Sequence, residues 1–61
     1  MVLRADADGR WVIYQRRGST DALIRGPFQT RTQAEQLART LKETVGANAF
    51  VQIGPDQYLP L

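Results

Sequence analysis

The chain has 61 residues, a formal net charge of +2 from eight basic and six acidic side chains, and neither cysteine nor histidine. That composition excludes disulfides, thiolate zinc sites and every catalytic device built on a cysteine or histidine side chain, and it leaves only carboxylates to hold a metal. A domain this short buries only ~60% of the surface it exposes when unfolded, and its core supplies no more than ~3–5 kcal/mol of net stability, so self-association is the remaining way to add to it.

Taken in order, Met1 to Arg4 is a short apolar stretch that reads as a first edge strand, followed by Ala5-Asp6-Ala7-Asp8-Gly9, whose Asp-Gly pair signals a hairpin turn. Arg10-Trp11-Val12-Ile13-Tyr14-Gln15-Arg16 is rich in aromatic and β-branched residues and bounded by turn formers, the pattern of a strand. Gly18-Ser19-Thr20-Asp21 is then a loop, and Ala22-Leu23-Ile24-Arg25 runs back antiparallel and stops at Gly26-Pro27, where proline lacks an amide donor.

The helix follows. Ala34, Leu37, Ala38, Leu41 and Val45 recur at helical spacing and form one apolar stripe, while Gln33, Glu35, Gln36, Arg39, Lys42 and Glu43 point elsewhere. Thr30 with Gln33 and Thr32 with Glu35 both have capping-box spacing, so either marks the start, and Gly46 suits the left-handed residue that closes a helix. On this stripe Leu41→Ala is expected to cost ~2–5 kcal/mol. Ala49-Phe50-Val51-Gln52-Ile53 is another strand, stopped by Gly54-Pro55-Asp56, and Gln57 to Leu61 either pairs as a last short strand or packs as a tail.

The expectation is a single α+β domain of β-β-β-α-β order over residues 1–61, a three- to four-stranded, mainly antiparallel sheet with one helix packed on one face. A helix shields one face only. If Trp11, Ile13, Ala22, Ile24, Phe28, Val51 and Ile53 face it, strict alternation leaves Val12, Tyr14, Arg16, Leu23, Arg25, Phe50 and Gln52 on the other side, an apolar surplus for a face with nothing on it; with the first long strand in the opposite register, Trp11 and Ile13 are uncovered instead and the surplus remains.

The six carboxylates, Asp6, Asp8, Asp21, Glu35, Glu43 and Asp56, fall in turns or on the solvated helix face, so no acid–base pair, catalytic site or cofactor is expected. Asp6, Asp8 and Gly9 begin like a calcium loop but lack its remaining ligands and terminal glutamate, and Pro27 removes a donor where a phosphate loop needs one. No apolar run approaches the ~20 residues of a membrane span and no basic-then-apolar leader pattern is present, so a soluble cytoplasmic protein with no membrane role is expected. No small-molecule substrate is expected either. The interaction face is assigned to Val12, Tyr14, Arg16, Arg17, Leu23, Arg25 and Phe50. It has two uses: Val12, Tyr14, Leu23 and Phe50 bury against a second copy in a homodimer, or Tyr14 and Phe50 stack on bases while Arg16, Arg17 and Arg25 neutralise phosphates of DNA or RNA.

Trp11-x-Ile13, Phe28-x-Thr30-Arg31-x-x-Ala34, Ala38-Arg39-x-Leu41, Ala49-x-Val51 and Tyr58 together resemble the small bacterial family catalogued as domain of unknown function 2188, over about Gly9 to Tyr58. These are core and cap positions. The resemblance implies a fold and a bacterial or phage setting, with no established activity and no functional residue to carry over. Trp11-Val12-Ile13-Tyr14 with Gly26-Pro27-Phe28-Gln29-Thr30-Arg31-x-x-Ala34-Glu35 is also similar to the arm-type DNA-binding domain of tyrosine recombinases. That likeness implies a three-stranded sheet reading a DNA groove through Arg10, Arg16, Arg17 and Arg25, from which this chain departs by a strand after the helix and by lower basicity. Gly26-Pro27-Phe28 with Ala34, Leu37 and Leu41 is similar to half of a longer, sporulation-related peptidoglycan-binding repeat.

Overall fold

A computed structural model describes the whole chain, Met1–Leu61. Its first turn is organised by Asp6, whose Oδ1 accepts from the backbone amides of Asp8 and Arg10, both at 2.9 Å, while the Gly9 amide donates to the Asp6 carbonyl at 3.0 Å. An aspartate that satisfies its own turn in this way supplies the hydrogen bonds the strands on either side cannot. Those strands are β1 (Val2–Ala5) and β2 (Trp11–Arg17), paired antiparallel from Ala5 opposite Trp11 to Val2 opposite Tyr14.

Two residues, Gly18 and Ser19, join β2 to β3 (Thr20–Phe28), tighter than the four-residue loop expected. The strand also runs on through Gly26 and Pro27, where the sequence pattern predicted its end. Pro27 is tolerated because β3 is an outer strand of the sheet, with one side free of ladder hydrogen bonds. Gly26 is required: its φ is +118°, and a Cβ there would lie 3.1 Å from the Trp11 carbonyl oxygen. The β2–β3 register shifts twice, between Trp11 and Ile13 and between Ile13 and Tyr14, so β3 carries extra residues relative to β2.

The helix, α1 (Arg31–Val45), starts at the first of the two candidate caps. The Gln33 amide donates to Thr30 Oγ1 at 3.2 Å and the Thr30 amide to Gln33 Oε1 at 3.3 Å, a complete capping box; Thr32 lies inside the helix. Thr30→Ala is therefore expected to lower stability by ~1 kcal/mol, read as a shift in the urea midpoint. Gly46 closes the helix with φ +68° and donates to the Lys42 carbonyl at 2.9 Å. Fifteen residues are too few to cross a bilayer, and no helix is long and apolar enough to do so.

Two further strands follow, β4 (Phe50–Gly54) and β5 (Gln57–Pro60), and the sheet order is β3-β2-β1-β4-β5. The α+β class holds, but the sheet has five strands and is mixed, since β1 and β4 run parallel while every other pair is antiparallel. The Gln57–Pro60 segment is a strand, and β1 is the central strand rather than an edge. The reason lies in the core. Leu3 pairs with Ile13 on one side and Val51 on the other, a row of three apolar side chains that are 0%, 0% and 1% exposed. Such a row needs a strand on each side of Leu3, and the helix supplies it by carrying the chain from the end of β3 back across β2 and β1.

Over that row sit Ala34 and Ala38, both fully buried, whose small side chains let the helix axis approach the sheet. Met1, Trp11, Ile24, Phe28, Leu37 and Leu61 pack around them. Only part of the predicted stripe is buried: Leu37 and Leu41 are half-buried and Val45 is 66% exposed. The helix lies over β1, β2 and β3, leaving Ile53 and Leu59 of the β4–β5 hairpin exposed at its side, where Ile53 was expected under it, and Ala22 near the hairpin tip is exposed as well.

Candidate interaction face

The sheet surface turned away from α1 is built in rungs. Cα pairings place Leu23, Tyr14, Val2, Phe50 and Pro60 at one level, on β3, β2, β1, β4 and β5 respectively. On adjoining levels lie Val12 with Arg4, Gln52 with Tyr58, and Arg16 with Asp21. Alternation puts these on the side opposite Leu3, Ile13 and Val51.

Of the seven residues assigned to this face from sequence, Val12, Tyr14, Arg16, Leu23 and Phe50 are brought together on it. Arg17 is one residue beyond Arg16, so it alternates to the other side and ends β2 at the Gly18 turn. Arg25 pairs with Ile13, whose side chain lies under the helix, so the register shift between Ile13 and Tyr14 breaks the alternation that placed Arg25 beside Leu23. Its guanidinium instead donates from Nη1 to the neighbouring Ile24 carbonyl at 2.8 Å. Val2, Arg4, Asp21, Tyr58 and Pro60 also belong to the face. The alternation of Val2 and Arg4 about Leu3 is visible in sequence, but only the central position of β1 turns it into part of this surface.

Tyr14 is the floor of the face, not an exposed contact: it is 3% exposed. The Arg4 guanidinium carbon stands 4.5 Å from its ring centroid, a cation–π contact, and its hydroxyl donates to Gln52 Oε1 at 3.0 Å. Gln52 passes the connection on, its Nε2 donating to the Gly54 and Pro55 carbonyls at 3.1 and 3.2 Å, so the chain of bonds runs from β2 across β1 to the β4–β5 turn. Burial pushes the Tyr14 phenol pKa above its ordinary 10.0, with the nearby Arg4 charge opposing the shift.

Charge on the face is two guanidiniums to one carboxylate. Asp21 accepts from Arg16 Nε at 3.1 Å and lies 4.0 Å from Arg4 Nη1, one carboxylate between two guanidiniums. The hydrogen bond to Asp21 raises the Arg16 pKa further, which keeps that side chain protonated at any physiological pH. Around Tyr14, the side chains of Val2, Phe50 and Tyr58 enclose a shallow depression of about 360 Å³ with Arg16 at its rim. Leu23, at the other end of the same rung, stands 63% exposed, and Tyr58 is 41% exposed.

No three carboxylates converge anywhere on the chain, so the arrangement offers no ready metal cage. The face presents apolar and aromatic area, a hollow and a few charges. No protein-family model, no curated protein and no solved structure matches this chain.

Proposed function

We propose that this chain is a non-catalytic interaction module that forms a homodimer through the sheet face away from α1, acting as a small cytoplasmic accessory protein in a bacterial or phage setting. The observation that supports this reading is the exposure of Leu23 and Tyr58 beside half-buried Val2, Val12 and Phe50 on one continuous surface. Contiguous apolar area of this kind marks a contact surface, and covering it adds the burial that so short a chain lacks. Sedimentation at increasing concentration is expected to show a monomer giving way to a dimer. A strictly monomeric species at high micromolar concentration removes the reading.

A second reading, DNA or RNA binding, is favoured by one feature, the β2–β3 hairpin, which carries Arg16 on this face and Arg17 and Arg25 on its other side against a single carboxylate, Asp21. In this reading the stacking platform is Phe50 and Tyr58, with Tyr14 beneath as support. Affinity for random oligonucleotides then falls steeply with salt, and absence of binding at low salt excludes it.

A further inference from the structure

The β2–β3 hairpin carries more ladder than the core uses. Beyond Tyr14, the last β2 residue paired with β1, Gln15, Arg16 and Arg17 pair only with Ala22, Asp21 and Thr20. Every residue from Gln15 to Leu23 is exposed, and a Cβ added to Gly18 at the tip would meet nothing within 4 Å. A two-stranded ribbon that buries no apolar side chain adds little to the stability of a fold. Resting on the nucleic-acid reading above, we propose that this arm enters the major groove of duplex DNA tip first, with the Gly18-Ser19 turn toward the base edges and Arg16 and Arg17 reaching the phosphates of opposite walls.

The chemistry of the arm selects its partner. From Gln15 to Ala22 it holds no aromatic and no large aliphatic residue, so it offers neither a hydrophobic anchor for a protein nor a stacking platform for a single strand. Alternation sets Arg16 on one side of the ribbon and Arg17 on the other. Arg16 is joined to Asp21 at 3.1 Å, whereas Arg17 makes no salt bridge. A cation on each side of the ribbon suits a groove with a phosphate wall on each side. Dimensions agree: a strand pair with its side chains is ~10 Å thick and three residues beyond Tyr14 advance it by ~10 Å, against the ~12 Å width and ~8.5 Å depth of the B-form major groove. The major groove of A-form RNA is too narrow to admit it. Arg10, just before the start of β2, lies at the opposite end of that strand and takes no part.

Fluorescence anisotropy at low salt tests this with a short random-sequence DNA duplex, one of its separated strands, and an RNA duplex of the same sequence. The DNA duplex is expected to bind at least ~10-fold more tightly than either of the others. Methyl green, which occupies the major groove, is expected to displace the protein, and netropsin, which occupies the minor groove, is not. Arg17→Gln is expected to weaken binding several-fold and to lower the slope of log affinity against log salt by ~1, while Arg10→Gln leaves both unchanged. Both side chains are exposed, so both variants keep the far-UV circular dichroism spectrum of the native chain. Equal or tighter binding of the single strand or of the RNA duplex, indifference to methyl green, or equal losses from Arg10→Gln and Arg17→Gln overturns the arm and leaves the nucleic-acid reading standing. Absence of binding to all three probes removes both.

Discussion

Ile13→Ala is expected to leave most of the chain unfolded at room temperature, with the far-UV circular dichroism signal of the helix lost and no cooperative urea transition remaining. Ile13 is fully buried in the row formed with Leu3 and Val51, beneath Ala34 and Ala38. Truncating a branched aliphatic side chain at such a site removes its transfer energy and leaves a cavity, together ~2–5 kcal/mol. Against a net stability of ~3–5 kcal/mol for a domain of this size, one such loss consumes most of what holds the fold. The helix side of the same contact is less sensitive. Leu41 is half-buried, so Leu41→Ala costs less than the helical stripe alone predicts, and a Leu41→Ala variant that melts cooperatively beside an unfolded Ile13→Ala locates the core in the sheet row. Equal losses at the two positions would contradict that placement.

Tyr14→Ala is expected to lower stability by ~3–5 kcal/mol, whereas Tyr14→Phe costs only ~0.5–1.5 kcal/mol. The large loss comes from the ring, almost wholly enclosed under Arg4; the small one is the hydroxyl's bond to Gln52. Alkaline pH separates the two contributions. Burial raises the folded pKa of Tyr14 above the unfolded value of about 10, so the stability held by the neutral phenol is complete below that value and is lost as pH rises through the higher folded pKa. The urea midpoint of the native chain should therefore fall with increasing pH above the ordinary tyrosine range, and Tyr14→Phe should flatten that fall. A midpoint equally pH-dependent in both proteins would mean that the phenol is not enclosed. The outcome also bears on binding. If Tyr14 supports the fold from beneath the face, base stacking or dimer contact in the proposed readings falls to Phe50, Tyr58 and Leu23.

The elements legible in sequence are those written in local spacing. The helix, a capping box at Thr30 or Thr32, its Gly46 stop, the strand through Trp11 to Arg16 and the Phe50 strand can each be read from a window of a few residues, because period, cap chemistry and turn residues act over that range. The two-sided character of the sheet was legible too, since alternation along Val12, Ile13 and Tyr14 assigns opposite sides whatever the neighbours are.

Neighbours are what local spacing does not encode. That β1 is central and parallel to β4 follows from Leu3 needing Ile13 and Val51 on either side of it, a demand set by residues separated by most of the chain. Pro27 sits within a strand because β3 is at the edge, and Arg25 leaves the face because β3 carries extra residues opposite β2, two facts about pairing that no isolated segment contains. Sequence put Tyr14 on the side opposite Ile13 without fixing which of the two faces the helix; that choice, and the enclosure of Tyr14, depend on Leu3, Arg4, Gln52 and Phe50 arriving from other strands. The amino-acid sequence by itself determined which residues share a side of each element. The tertiary structure decided which of those sides meet and which residues are thereby covered, because burial is a property of the surfaces brought together and not of the segment that carries them.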